Sequence, residues 1–143
     1  IRKVEVGASN TSVVYARHQL IEPKLEKLIK FVNDKLKVGV NFKHALKVGT
    51  VFYFEFLKIH PFIDGNGRTA RLLLSYLLRG LTRIPFSLFM NVKNQRSLYL
   101  EVLEEAQWRN NPTPFAKYFL HSIHWKLQQV CYLLCDSKEN EEK

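Results

Sequence analysis

Residues 60–71 hold the side chains whose types and spacing best suit chemistry. They read His-Pro-Phe-Ile-Asp-Gly-Asn-Gly-Arg-Thr-Ala-Arg, which combines an imidazole, a carboxylate, two glycines around an asparagine and two guanidinium groups. The segments directly before and after, residues 48–59 and 72–78, are the most apolar of the chain. A polar, glycine-rich loop between two such segments favours a site that is held rigid for chemistry.

The glycine-rich part of this loop predicts an anion-binding site. A turn that leads into a helix at Gly65, Asn66 and Gly67 presents unpaired backbone N–H groups and the positive end of a helix dipole. The Asn66 amide can hydrogen-bond either the loop or a ligand. Arg68 and Arg71, three residues apart, lie on one helix face and can bind separate phosphate oxygens.

Two other side chains of the loop suit reactions at phosphorus. His60 ends an apolar helix, where a ring nitrogen can act as a general base near neutral pH. Asp64 is a hard oxygen ligand of the kind that Mg²⁺ takes when it bridges phosphates. Pro61 and Phe62 are expected to fix the loop, with Phe62 in the core. A common turn, a helix cap and a solvated carboxylate explain these residues singly, but together they favour a phosphate site with a general base.

The elements around the loop predict an all-α bundle in one domain, residues 1–135, followed by a charged tail at 136–143. Apolar spacing of the helical period predicts helices from Pro23 to Gly39, from about 94 to 107 and from a Thr113 cap to about 134. The two central helices, about 41–59 with Asn41 as its cap and about 68–79 with Gly80 after its end, are apolar nearly all round and are expected to be buried. Residues 1–20 alternate loosely and predict a short β-hairpin flap.

Composition limits the classes of protein and partner. The 143 residues, 46% hydrophobic and 24% charged, are typical of one globular domain. The net charge of +9 favours anionic partners such as nucleotide phosphate, nucleic acid or an acidic protein surface. Lysines spread over two predicted helices explain much of this charge. Glu55 and Lys58 interrupt the longest apolar run, so no membrane-spanning segment is expected.

The expected compartment is the cytoplasm, because two cysteines one helical turn apart, Cys131 and Cys135, are poorly placed for a disulfide and fit reducing conditions. The chain begins with Ile1 and shows no signal-peptide pattern. We interpret it as an excised domain or processed piece. A targeting segment outside it, and with it a secreted effector, stays an open alternative.

Residues 60–71 resemble the signature of the Fic (Fic/Doc) family, His-x-Phe-x-Asp/Glu-Gly-Asn-Gly-Arg-x-x-Arg, and every specified position matches. The resemblance extends over roughly residues 1–125. It implies a Fic-type helical bundle with an N-terminal flap. It also implies a protein adenylyltransferase that moves AMP from ATP, with Mg²⁺ or Mn²⁺, to a Ser, Thr or Tyr hydroxyl of a target protein and releases pyrophosphate.

The resemblance also implies a role for each site residue. His60 takes the position of the catalytic base and Asp64 that of the metal ligand. The resemblance assigns the phosphates to the glycine-rich helix start and the two arginines, namely Gly65, Asn66, Gly67, Arg68 and Arg71. By position in a later helix, Tyr99 and Gln107 line the adenine side, although family members often have Asn in place of Gln107. Val13, Val14 and Tyr15 are the flap residues that would dock a target segment as an added strand, and a hairpin that only covers the core is the open alternative.

Regulation and function keep several alternatives. The family's inhibitory pattern, Ser/Thr-x-x-x-Glu-Gly/Asn, is matched only in part at Ser97 with Glu101 and at Ser137 with Glu141. The inhibitor is therefore lost, supplied by an antitoxin-like partner, or absent, and self-modification or a homodimer stays open. Removal of AMP or transfer of another phosphate-containing group is the alternative activity. A basic module that binds nucleic acid or protein is the weaker alternative, because no known nucleic-acid motif is present.

Overall fold

The computed structural model describes residues 1–7, 14–36, 41–79 and 95–141 of the chain. All regular structure within these ranges is helical, which confirms the all-α class. A 3₁₀ helix at His18–Leu20 precedes five α-helices: α1 (Ile21–Lys35), α2 (Phe42–Ile59), α3 (Asn66–Leu78), α4 (Gln95–Trp108) and α5 (Thr113–Glu141). None of these described helices combines the length and the apolar character that crossing a membrane requires.

Helix α2 is the centre of the bundle and packs against α1, α3 and α5. It begins as predicted, because the Asn41 side chain accepts a hydrogen bond from the His44 N–H at 2.9 Å and so caps a free donor. Its side chains are buried on almost every face, as its all-round apolar sequence predicts. Gly49 permits a close approach of α3, since a Cβ there would lie 2.5 Å from Leu74 Cδ1.

Helix α3 differs from the prediction that it is buried all round. Its buried positions recur at the helical period and form one face, consisting of Asn66, Ala70, Leu74 and Leu78. Leu72 is 72% exposed and Tyr76 is 57% exposed. The reason is that α3 lies on one side of α2, so only one of its faces meets the core.

Aromatic rings join α5 to the centre. Tyr53 of α2 meets Phe115 and Phe119 of α5 edge to face, with ring centroids 5.1 and 5.0 Å apart. Tyr99 of α4 packs on Phe115 and on Tyr118. Such pairs favour this geometry because the positive edge of one ring faces the negative face of the other. The cluster places α4 and α5 beside α2.

The predicted N-terminal β-hairpin is not supported. Neither residues 1–7 nor residues 14–17 form a strand. Their backbone donors pair with the end of α2 and the loop instead: Arg2 N–H with the Pro61 carbonyl at 2.7 Å, and Ala16 N–H with the Lys58 carbonyl at 3.0 Å. These donors are therefore not available for a ladder between the two segments. Residues 8–13, which include Val13, lie outside the described residues.

The ends of the other helices differ in detail. Thr113 was expected to cap α5 but is its first residue, and the Asn111 side chain accepts the hydrogen bond from Thr113 N–H at 2.9 Å. Helix α5 continues to Glu141, so most of the predicted charged tail is helical. Gly39 and Gly80, the predicted ends of α1 and α3, lie outside the described residues.

Candidate active site

The loop between α2 and α3 is held by Asn66, the first residue of α3. Its amide oxygen accepts from Phe62 N–H at 2.9 Å and its amide nitrogen donates to the Phe62 carbonyl at 2.7 Å. Asn66 is 2% exposed, so both bonds are shielded from water. The sequence left open whether the Asn66 amide hydrogen-bonds the loop or a ligand, and in the structure it bonds the loop. Phe62, expected in the core, is 36% exposed, and the fully buried loop residue is Pro61.

The start of α3 has the backbone geometry that the predicted anion site requires. Gly65 precedes it with φ of 81°, a left-handed conformation that glycine adopts without strain. The first backbone bond of the helix runs from Thr69 N–H to the Gly65 carbonyl at 2.9 Å. The N–H groups of Asn66, Gly67 and Arg68 precede that bond and have no partner within the helix. They supply donors and the positive dipole end for an anion.

A pocket of about 270 Å³ opens at this helix start. Its lining contains Ile63 and every residue to which the resemblance assigned a catalytic, metal-binding or phosphate-binding role: His60, Asp64, Gly65, Asn66, Gly67, Arg68 and Arg71. The volume lies below the roughly 300–1,000 Å³ typical of sites for whole small ligands. It suits the phosphate part of a nucleotide.

His60 occupies the end of α2 in a left-handed conformation, with φ of 51° and ψ of 61°. Such a conformation costs a non-glycine residue on the order of 1–3 kcal/mol and persists where neighbours fix it. Its Nδ1 lies 3.3 Å from the Leu57 carbonyl oxygen. Because a carbonyl only accepts, this contact places a proton on Nδ1 and leaves the lone pair of the neutral ring on Nε2.

The imidazole is covered by Tyr15, whose ring stacks on it with centroids 3.7 Å apart and planes 20° apart. Burial lowers the pKa of His60 below its usual 6.5, the contact with the Leu57 carbonyl opposes this, and the positive charge of Arg2 lowers the pKa further. Both burial and a nearby cation disfavour the imidazolium ion. His60 is therefore in its neutral, proton-accepting form at pH 7.

Asp64 and Arg68 form an exposed ion pair at the pocket mouth, 3.1 Å between Arg68 Nη2 and Asp64 Oδ2. The other carboxylate oxygen accepts from Gly65 N–H at 2.6 Å. The two side chains are 90% and 75% exposed, and pairs of this kind contribute little to stability. The carboxylate is therefore free to exchange Arg68 for another cation.

The donor set at this position suits Mg²⁺. Asp64 is the one carboxylate among the described residues that line the pocket, and the described residues contain no cluster of three metal-binding side chains. Mg²⁺ in phosphate sites is commonly held by one or two carboxylates together with phosphate oxygens and waters. One exposed carboxylate beside the predicted anion site fits that arrangement.

Arg71 lies beside a pair of hydroxyls that the sequence did not reveal. The Tyr53 and Tyr99 hydroxyls lie 2.8 Å apart, and the nearby positive charge of Arg71 lowers the pKa of both, against the larger effect of burial. Burial raises the pKa of Tyr53, so its phenol stays protonated. Tyr53 lies among the apolar residues of α2, where the sequence pattern predicts that an aromatic residue belongs to the core. Gly67 allows the arrangement, since a Cβ there would lie 3.3 Å from Arg71 Nη1.

The remaining predicted residues lie elsewhere. Tyr99 and Gln107 are not part of the pocket lining. The hydroxyl of Tyr99 lies 2.8 Å from the hydroxyl of Tyr53. The buried Gln107 Oε1 has no hydrogen-bond partner in the described part of the chain. Their adenine-side role stays a prediction. Val14 is 88% exposed. Arg2, which contacts the end of α2, was missed because nothing separates it in sequence from the other basic residues.

Comparison with known proteins identifies the class to which this site belongs. The family model described as "Fic/DOC family" matches residues 1–78, more than half of the chain. The matched part contains α1, the loop, the pocket and all of α3. The chain belongs to the Fic/DOC family.

Similar curated proteins carry related names. "Protein adenylyltransferase fic-1" of Caenorhabditis elegans is 25% identical over an alignment 143 positions long, which covers 96% of this chain and 27% of that protein. "Protein adenylyltransferase Fic" of Drosophila grimshawi is 36% identical over 78 residues, 54% of this chain and 15% of that protein. The Drosophila erecta protein of the same name is 36% identical over 75 residues. The chain thus spans about a quarter or less of the length of these relatives.

Proposed function

We propose that this chain is a protein adenylyltransferase domain that transfers AMP from ATP to a Ser, Thr or Tyr hydroxyl of a target protein. The observation that carries the proposal is the pocket itself, where a neutral histidine, a carboxylate, a helix start and two arginines meet within about 270 Å³. These groups together are what in-line attack at a nucleotide phosphate requires from a protein. The names of the similar proteins support the same activity.

In the proposed reaction, the target oxygen forms a bond to the α-phosphorus of ATP and the bond from that phosphorus to the bridging oxygen breaks. Pyrophosphate leaves, and the hydroxyl proton passes to Nε2 of His60. The N–H groups at the start of α3 bind the phosphates, and Arg68 and Arg71 are assigned to the β- and γ-phosphates. Mg²⁺ or Mn²⁺ held by Asp64 and phosphate oxygens would supply further positive charge there.

The target segment is proposed to dock at Val13, Val14 and Tyr15. Tyr15 lies against His60 with ring centroids 3.7 Å apart, so a segment bound there comes close to the base. Val14 next to it is exposed and offers an apolar contact. Val13, the third residue assigned to docking, lies outside the described residues.

The decisive experiment gives the protein Mg²⁺ and ATP labelled either at the α- or at the γ-phosphate, with a cell lysate as the source of targets. Label is counted only above that of the same lysate without the protein, because kinases of the lysate also use γ-labelled ATP. We expect label on protein from α-labelled ATP only, because AMP retains the α-phosphate and pyrophosphate carries the γ-phosphate away. His60→Ala should reduce the rate by about 10²–10⁴-fold, the usual contribution of a positioned general base.

The matched control is His124→Ala, which removes an exposed histidine of α5 and should keep the wild-type rate. Label transferred from γ-labelled ATP would show phosphate transfer and refute the proposal. Wild-type labelling by His60→Ala would refute the assignment of the base.

A further inference from the structure

Arg2 makes an unusual set of contacts at the end of α2. Its Nε donates to the His60 carbonyl at 2.7 Å, its Nη2 lies 3.4 Å from the Ile59 carbonyl, and its backbone N–H donates to the Pro61 carbonyl at 2.7 Å. One residue thus contacts three consecutive carbonyls across the turn that carries the imidazole. Arg2 is 3% exposed, so these bonds are made away from water.

The same guanidinium also fixes the segment that covers the imidazole. It donates to the Ala16 carbonyl through Nη2 and to the Val4 carbonyl through Nη1, the latter at 2.8 Å. Ala16 N–H in turn donates to the Lys58 carbonyl at 3.0 Å. Tyr15, the neighbour of Ala16, is therefore tied to the same helix end as the ring on which it stacks.

The buried charge of Arg2 is balanced mainly by dipoles. Its acidic partner, Glu5, lies 3.4 Å away and is itself 58% exposed. The carbonyls at a helix C-terminus carry partial negative charge and favour a cation there. A guanidinium presents donors in a fixed planar fork, and a lysine ammonium cannot reproduce several such bonds at once. The site thus requires arginine and not only a positive charge.

We propose that Arg2 is a positioning residue for His60: its contacts hold the His60 peptide in the left-handed conformation and Tyr15 against the ring before substrate binds. This inference rests on the proposed function, in which His60 is the base. Nothing else among the described contacts of His60 reaches its carbonyl oxygen. Loss of Arg2 should release the peptide and misplace the ring, and a displacement of about 1 Å at a reacting group can cost about 100-fold in rate.

Electrostatics supports the same role. After burial, the charge of Arg2 is the further cause that lowers the pKa of His60. The other titratable or charged groups around the imidazole are Tyr15, which stacks on it, and Asp64, Arg68 and Arg71, which line the same pocket. Asp64, Arg68 and Arg71 stay in place when Arg2 is replaced by a neutral residue, and release of Tyr15 would only lessen the burial of the ring. The pKa of His60 should then rise, because one cation that disfavours the imidazolium has been removed.

The test compares Arg2→Gln and Arg2→Lys with Lys3→Gln, which removes one charge from the exposed neighbouring residue. We expect Arg2→Gln to lower kcat by about tenfold to 100-fold with the KM for ATP nearly unchanged, since phosphate binds at α3. NMR titration, with the His60 signal assigned from its absence in His60→Ala, should show a raised His60 pKa. Arg2→Lys should keep the lowered pKa but lose kcat. Lys3→Gln should match the wild type in both.

A measurement on the wild-type protein keeps the proposal falsifiable if the Arg2 variants do not fold. The Arg2 Nε–H should exchange with solvent much more slowly than that of the exposed Arg17 in the same ¹⁵N spectrum, because it is buried and bonded to the His60 carbonyl. Exchange as fast as that of Arg17 would overturn the proposal, as would wild-type kcat and His60 pKa in Arg2→Gln. The two NMR measurements need no enzyme assay, so an absence of AMP transfer would refute the proposed function without deciding this one.

Discussion

The His60 side and the α3 side of the pocket differ in how their functional groups are held. His60 is covered by Tyr15 and its peptide is bonded by Arg2 from within the protein. Asp64 and Arg68 are mostly exposed and bonded chiefly to each other. His60 is therefore fixed without any ligand, whereas under the proposed function the carboxylate and the first arginine would exchange partners when phosphate and metal bind. A proton acceptor needs an exact position, whereas groups that bind a mobile phosphate chain need access to solvent.

Asn66 begins α3 and bonds Phe62 in the loop that follows His60, so its replacement should disturb both sides of the pocket. We expect this change to have the largest effect. Asn66→Ala leaves the N–H and carbonyl of Phe62 without their partners and releases the loop. We expect a loss of about 1–3 kcal/mol in the free energy of unfolding and of about 100-fold or more in transfer rate. Denaturant unfolding and the labelling assay measure the two.

The control for this prediction is Asn33→Ala, at an exposed position of α1, which should change neither quantity appreciably. An Asn66→Ala protein with wild-type stability and rate would show that the loop keeps its shape without the amide.

Asp64→Asn should affect the α3 side alone. The amide oxygen can still accept from Gly65 N–H, so the turn persists, but the charge that attracts a metal is lost. We expect binding of ATP in Mg²⁺, measured by calorimetry, to weaken by at least about tenfold. The melting temperature without nucleotide should stay within about 2 °C.

Asp34→Asn is the matched control, because Asp34 also forms an exposed pair with a basic residue one helical turn away, Lys30, at 3.7 Å. It should leave ATP binding unchanged. Equal weakening of ATP binding by Asp64→Asn with and without Mg²⁺ would contradict the metal-ligand assignment.

The pH dependence should report the His60 side. A protonated imidazole cannot accept the hydroxyl proton, so kcat/KM for ATP, which reports the ligand-free protein, should fall by about tenfold per pH unit below the pKa of His60. Burial places that pKa below 6.5, so kcat/KM should have lost most of its dependence on this group by pH 7. A midpoint above 6.5 would contradict the burial seen in the structure. The small residual rate of His60→Ala should lack this acidic limb.

Tyr53→Phe should have the smallest effect, because it removes one hydroxyl behind Arg71 and leaves the ring packing intact. The Tyr99 hydroxyl stays beside the positive charge of Arg71. We expect a loss of about 1 kcal/mol in the free energy of unfolding, the usual net value of one hydrogen bond, and a few-fold weaker binding of ATP. Tyr76→Phe, at an exposed position of α3, is the control. An unchanged affinity in Tyr53→Phe would show that the Tyr53 hydroxyl does not position Arg71.

The sequence predicted best those features that depend on neighbouring residues. The Asn41 cap and the all-round burial of α2 follow from residue types within a few turns. Prediction from sequence failed where contacts with a distant segment determine the local structure. The burial of α3 depends on which of its faces packs against α2. In the segment predicted as a hairpin, the backbone N–H groups of Arg2 and Ala16 donate to carbonyls at the end of α2 and in the loop after it.

What the sequence alone determined is the chemical content of the loop, because the spacing of His60, Asp64, the glycines and the arginines is a local property of twelve residues. It also determined the helical class, through the period of its apolar residues. Tertiary structure alone decided how the base is held. Arg2 and Tyr15 lie 58 and 45 residues from His60 in sequence, and only chain folding brings them against it. No periodicity or motif encodes a contact across such a separation.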